Sequence, residues 1–369
     1  SHFENSALSL GSEFRDINYI KEILGHHEDW HILKKHLQQG IEYPLDGKMD
    51  EKTRTNDLKA MIERGNHKST KTKLHMKALL KAYKKEVKYG WLIPLELKSI
   101  KHIEGAGVIP LGVQDQCSVN EKGQGITKER VTHDCSFPAS SGQSINNRTV
   151  DEELELCIYG HCLRRILHMI HKMRIQNPNT IIYIMKLDLD AAYRRLHTLP
   201  EHAVLSLTVA DNIAYLETRL PFGAKAGPST YSTMSECIFD VTNDLLQDDT
   251  WNVQSLRSHL SQEFDEPIKP RAEEHITTAD PLAVPIPSRD AGCDGYIDDL
   301  IAVTLDRNDN VKRAQNAGPL VVHAMFRPVD PRDSISRDDP VSRRKLCGEG
   351  TPCEQKIVLG WLICTRRLR

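Results

Sequence analysis

The chain has 369 residues, 39% of them apolar and 27% charged, and a formal net charge of −2. It is long enough to bury a substantial core and to divide into two or three subdomains, and its composition excludes a disordered or fibrous protein. No apolar run has the length needed to cross a bilayer and Ser1-His-Phe-Glu-Asn5 lacks a secretory pattern, so the expected location is intracellular, cytoplasmic or nuclear, with no membrane partner.

The nine cysteines are scattered without a Cys-x-x-Cys, which points to free thiols in a reducing compartment. Cys157, His161 and Cys162 match no zinc-site spacing and read as helix positions. There is no initiator Met, as expected of a fragment or processed product. The charge is uneven: residues 52–101 carry 14 Lys/Arg against four Asp/Glu, whereas residues 241–294 carry eleven acids and four bases. A basic face of that kind can attract phosphate backbones whatever the total charge.

In chain order, Ile17, Ile20, Leu24, Trp30, Leu33 and Leu37 keep helical spacing over roughly 15–39, ended by Gly40. Helices continue over 51–89 with a break at Gly65-Asn-His-Lys68, the second carrying an apolar stripe of Met76, Leu79, Leu80, Tyr83 and Val87 under a lysine cover. Val113 to Asp134 reads as a β-hairpin whose tip is Asn120-Glu-Lys-Gly-Gln-Gly125, with Lys128 and Arg130 on one face of the returning strand. A guanidinium there suits a triphosphate, because its planar fork binds two oxygens at once. A polar loop, 136–148, leads to a long helix over 150–175 entered by the capping-box pattern Thr149-Val-Asp-Glu152, with Leu156, Leu163, Ile166, Leu167, Ile170 and Met173 as its buried stripe.

The run Ile181-Ile-Tyr-Ile-Met-Lys-Leu-Asp188 is a strand that delivers Asp188 and Asp190 at its end. A hairpin follows, Val204–Val209 and Ile213–Leu220, turning at Asp211-Asn212; then a Gly- and Pro-containing loop, Leu220 to Pro228, opens a helix to about Leu246. Residues 247–293 read as an acidic, proline-containing surface insertion that holds Trp251 against the main body. After Gly295-Tyr-Ile-Asp-Asp-Leu-Ile-Ala-Val303 come a helix over 311–325, an Asp- and Arg-rich loop over 327–343 expected to be mobile, and a single strand, Lys356–Ile363, with a Gly at a close-approach position.

Asp298 and Asp299 form the central feature. Two neighbouring carboxylates at a tight hairpin repel each other unless a cation sits among them, which asks for a divalent ion, Mg²⁺ or Mn²⁺. Two-metal phosphoryl transfer draws its carboxylates from separate strands, and Asp188 with Asp298 and Asp299 supplies that set.

Four segments, Asp188-Leu-Asp-Ala-Ala-Tyr193, Leu220-Pro-Phe-Gly-Ala-Lys-Ala-Gly-Pro228, Tyr296-Ile-Asp-Asp299 and Val358-Leu-Gly-Trp361, resemble the successive palm motifs of a retroelement reverse transcriptase, in that family's order; Lys128-Glu-Arg-Val-Thr-His-Asp134 resembles its fingers hairpin. The resemblance spans residues 128–361 and implies an α+β fold: right-hand fingers and palm, an antiparallel palm sheet backed by helices, and a helical N-terminal region. It implies a helical extension over 1–110, fingers hairpin and connecting helix over 111–180, and palm over 181–369, with the thumb and RNase H domain lying outside this chain. It assigns Asp188, Asp298 and Asp299 as catalytic metal ligands with the Leu189 carbonyl, and two Mg²⁺ (or Mn²⁺) ions as cofactors. Arg130, Tyr193, Phe222, Gly223 and Lys225 would contact the nucleotide, Tyr193 as the steric gate against a 2′-hydroxyl, and Leu359, Gly360 and Trp361 would form the primer grip. The family pattern asks for no acid at Asp190. The implied activity is RNA-directed DNA synthesis from dNTPs on an RNA/DNA template-primer, with a missing C-terminal region or a further polypeptide supplying the thumb. The alternatives are a palm polymerase that makes RNA, against which Tyr193 argues, and a non-catalytic remnant that binds nucleic acid or a partner.

Overall fold

In the computed structural model, which describes residues 12–119, 125–155, 157, 159–248, 250–252, 290–327 and 329–366, the chain opens with two short helices, α1 (Ile17–Leu24) and α2 (Trp30–Gln39). The sequence suggested one helix. The break falls at Gly25, where the chain turns so that the His27 ring meets Asp240 at 3.1 Å while Leu24 and Leu33 both stay buried. Helix α3 (Glu51–Arg64) starts at Asp50, whose carboxylate accepts from the Lys52 and Thr53 amides, and ends at Gly65 in the left-handed region; α4 (Lys73–Lys88) is capped by the Thr72 hydroxyl. Strand β1 (Leu92–Glu96) follows, then β2 (Leu111–Val119) and β3 (Gly125–His133), paired from Leu111↔His133 to Val119↔Gly125. The expected tip, 120–124, lies outside the described residues.

The long helix expected from 150 starts only at Cys162: α5 spans Cys162–Gln176. Thr149 does not cap it, because its hydroxyl donates instead to the Ile145 carbonyl at 2.9 Å. Ile166, Ile170 and Met173 are buried as expected, Leu167 is exposed, and Leu156 lies outside the described residues. Strand β4 (Ile182–Asp188) is followed by a one-turn helix α6 (Pro200–Ala203) and by β5 (Thr208–Ala210) and β6 (Ile213–Glu217). Their turn is Asp211-Asn212, both at positive φ, the hairpin geometry whose twist matches that of its strands. Val204–Ser206, expected as strand, is a 3₁₀ turn tied through the Val204 carbonyl to the Gly107 amide. Strand β6 also pairs with β1, giving the order β1-β6-β5.

Helix α7 (Gly227–Gln247) has Pro228 in its first turn. Most of the 247–293 insertion lies outside the described residues; Trp251 packs at its start, donating to the Leu245 carbonyl, with the Arg313 guanidinium over its ring. Strands β7 (Ala291–Tyr296) and β8 (Asp299–Leu305) form a tight hairpin and add to β4 in the order β4-β8-β7, all antiparallel. Helices α8 (Asn310–Met325) and α9 (Arg343–Glu349) precede β9 (Gln355–Val358) and β10 (Trp361–Cys364). The expected single strand over 356–363 is therefore a hairpin. Its turn residues Leu359 and Gly360 both have positive φ, and a Cβ on Gly360 would meet nothing within 4 Å, so the glycine serves the turn and not a close approach.

Period-two alternation divides the β4-β8-β7 sheet into two faces. Met185, Leu187, Leu300 and Ala302 pack into the main core with α7 and α8; Ile182, Ile184, Ile301, Val303 and Leu305 pack with α5 and the β9-β10 hairpin. The Asp- and Arg-rich loop is tethered rather than loose. Asp338 accepts from the Tyr89 hydroxyl at 2.7 Å and pairs with Lys85; Asp339 meets His323 at 2.9 Å; Arg337 donates to the Ser12 carbonyl and to Asp333. Among the described residues the architecture is thus mixed, with small antiparallel sheets among helices, and no helix is long and apolar enough to cross a membrane. All nine cysteines are free thiols.

Candidate active site

The end of β4 and the β7-β8 hairpin bring the three acids together. Asp188 and Asp299 are direct cross-strand partners, so their side chains leave the same sheet face. Asp298 occupies the two-residue turn, where Ile297 has φ +58°, and its carbonyl accepts from the Leu189 amide at 3.0 Å, which extends the pairing past the strand end. Two like charges opposite each other weaken a sheet. Burial and the neighbouring Asp298 and Asp299 raise the Asp188 carboxyl from 3.8 to about 6, although Lys345 pulls it down; burial and Asp299 raise Asp298 against Lys345 and Arg130.

The counter-charge comes from elements with no acid-motif character. Lys345 on α9 contacts Asp188 Oδ1, and Lys186, two residues before Asp188 and on the same face, lies 3.6 Å from Asp299 and 2.8 Å from Glu349. The segment before α9 is pinned to the strand end: the Ser342 amide donates to the Asp188 carbonyl and the Asp190 amide to the Pro340 carbonyl, both at 2.9 Å. Lys128 is held below its ordinary pKa by burial and then by Arg344, Arg130 and Lys345, so these four cations share one neighbourhood facing the acids. Lys186 could have been found in the sequence from its period-two relation to Asp188. Arg344 and Lys345 could not, because the segment before them reads as loop.

Tyr193 is buried, its ring 5.0 Å from Phe222 and 5.3 Å from Tyr231; Phe222 is 42% exposed. The loop carrying Phe222 is clamped to the segment after β3: Asn146 donates to the Gly223 carbonyl at 2.8 Å and accepts from the Lys225 amide at 2.7 Å, and the Lys225 ammonium pairs with Asp151. Gly223 has φ +106°, and a Cβ there would stand 2.1 Å from the His133 carbonyl oxygen. Gly223→Ala is therefore expected to destabilise the protein by about 1–3 kcal/mol, read as a lower urea midpoint, and to loosen the loop from β3. Asp190 is half exposed and 4.0 Å from Arg195, and its carbonyl accepts from the same guanidinium. Leu359 and Gly360 form the β9-β10 turn; Trp361 beside them is 67% exposed.

Carboxylates and main-chain carbonyls are the oxygen donors a hard divalent cation takes, and here a lysine ammonium stands on Asp188. Among the described residues no group of three or more His, Cys, Asp or Glu side chains is arranged to hold a metal ion.

Sequence comparison adds no assignment: no family model matches the chain, and none of the curated proteins does. Among solved structures, the chain is similar to a foamy viral protease-reverse transcriptase in complex with double-stranded DNA, at TM-score 0.46 and 13% identity, covering 96% of this chain and 47% of that one. It is similar also to the native prototype foamy virus protease-reverse transcriptase (TM-score 0.37, 12% identity, 88% and 32% covered) and to a CSH mutant of it (0.36, 16%, 71% and 24%). The chain spans about half the length of those proteins or less.

Proposed function

We propose that this chain is the fingers and palm of an RNA-directed DNA polymerase of the retroelement type, extending a primer 3′-hydroxyl with deoxynucleoside triphosphates. The observation that carries the reading is the register: Asp188 opposite Asp299 with Asp298 in the adjoining turn, under a cationic wall of Lys128, Arg130 and Lys345. In the reaction the primer 3′-oxygen bonds to the α-phosphorus, the bond from that phosphorus to the bridging oxygen breaks, and pyrophosphate leaves; the hydroxyl proton passes to solvent. Two magnesium ions, when bound by Asp188, Asp298, Asp299 and the Leu189 carbonyl, would acidify the hydroxyl and offset charge on the phosphates. Arg130 and Lys128 would hold the triphosphate oxygens, and Tyr193 backed by Phe222 and Tyr231 would form a rigid floor under the sugar.

The test is primer extension on poly(rA)/oligo(dT) with Mg²⁺ or Mn²⁺. Template-dependent incorporation that EDTA abolishes supports the reading; folded protein that binds template-primer without extending it, under either ion, refutes it. That second outcome would favour a nucleic-acid-binding remnant, for which the Lys345 contact on Asp188 is the supporting observation. Tyr193→Ala is expected to raise ribonucleotide relative to deoxynucleotide incorporation by roughly ten- to a hundredfold, the size of effect of one steric contact in a pocket. Unchanged discrimination removes the gate assignment.

A further inference from the structure

Helix α4 carries six lysines, Lys73, Lys77, Lys81, Lys84, Lys85 and Lys88, all exposed. At 3.6 residues per turn they fall within an arc of about 120°, along a stripe about 22 Å long. The helix's one acid, Glu86, is turned inward to Arg194, so nothing on α4 itself balances the stripe; among the described residues, Lys85 is the one lysine of the stripe in an ion pair, with Asp338 at 2.8 Å. Spacings of three and four residues place like charges side by side, where Glu would stabilise the helix and Lys weakens it. The opposite face is firmly fixed: Leu79 and Tyr83 are buried, the Tyr83 hydroxyl donates to Thr208 at 2.9 Å, and Glu86 joins Arg194. A rigid line of ammonium groups of which one in six is ion-paired is a poor design for mere solubility, which interspersed signs serve better.

We propose that this face of α4 is a docking track for the sugar-phosphate backbone of duplex nucleic acid, outside the carboxylate site. The chemistry selects that partner. Lysine acts as a point charge on phosphate without reading bases, and the helix's one Phe, Tyr or Trp, Tyr83, is buried, so the stacking platform that single strands require is missing from the stripe. A duplex offers the highest density of phosphates to such a surface. The track supplies sequence-independent affinity and holds whether or not the carboxylates catalyse.

The experiment compares the full chain with its Lys73/Lys77/Lys81/Lys84→Gln variant, measuring fluorescence anisotropy with a labelled DNA duplex and with one of its single strands between about 50 and 200 mM salt. Gln matches Lys in helix propensity and relieves the repulsion, so the variant should melt no lower than the parent. Duplex affinity should fall by at least about tenfold, and the slope of log affinity against log salt should shrink by about 3 to 4, near 0.9 for each phosphate that the variant no longer neutralises. A charge-matched control at exposed positions elsewhere, Lys34/Lys35/Lys48/Lys52→Gln, should lose far less. Equal losses in the control, an unchanged slope, or a single-strand effect as large as the duplex effect each overturn the proposal.

Discussion

Asp298→Asn is expected to leave a folded protein that no longer incorporates nucleotides, with activity down at least about a thousandfold. A metal-held carboxylate contributes several kcal/mol to the transition state, and each 1.36 kcal/mol is a factor of ten. The same substitution should raise the melting temperature in metal-free buffer, because burial and Asp299 already disfavour the charged form of Asp298. Loss of activity with a gain of stability is the signature of a site held against its own repulsion; a variant that is inactive because it is unfolded would show the opposite melt. Asp188 supplies the pH dependence. Its pKa is raised from 3.8 to about 6, so between those values the folded chain keeps a proton that the unfolded chain has released. Stability therefore falls as pH rises through that window and is flat above it, and comparing melts of the parent and Asp188→Asn in EDTA from about pH 4 to 7 isolates the contribution.

The largest stability effect is expected at Glu217, far in sequence from any acid motif. It is fully buried, 2.8 Å from Arg194 and 3.2 Å from His133, and accepts from the Thr208 hydroxyl at 3.2 Å. Burial alone would raise its pKa, but Arg194 and His133 outweigh that and hold the carboxyl below its usual range. Removing the carboxylate in Glu217→Ala leaves Arg194 buried with Glu86 as its remaining acid, and breaking a buried pair in this way costs about 3–5 kcal/mol. At roughly 1–2 °C per kcal/mol for a chain of this size, the melting temperature should fall by roughly 3–10 °C. A loss under about 1 kcal/mol in urea unfolding would mean the cluster relaxes or admits water. Because His133 ends the strand that carries Arg130, and Arg194 follows Tyr193, the variant should also weaken nucleotide use even where it stays folded.

The sequence by itself determined the elements with strong local signals: helices α3 and α4 with the break between them, the β2-β3 hairpin, the Asp211-Asn212 turn, α7 behind Pro228, and the strand and hairpin bearing the three acids. Each follows from periodicity or turn chemistry acting within a few residues. Where two local options are close in energy, distant packing chose between them. Gly25 splits the first helix, Thr149 turns its hydroxyl to Ile145 and leaves α5 to start at Cys162, and positive φ at Leu359 and Gly360 folds one expected strand into a hairpin. Only the tertiary structure could decide what faces the carboxylates. Lys345 reaches Asp188 across 157 positions because the loop before it is tied to α4, to the chain's start and to the end of β4, and Glu217 meets Arg194 only because β6 lies beside that segment. Lys186 was legible from its period-two spacing to Asp188, whereas Lys345 was not, because charge neutralisation acts through space between groups that no period or spacing along the chain need connect.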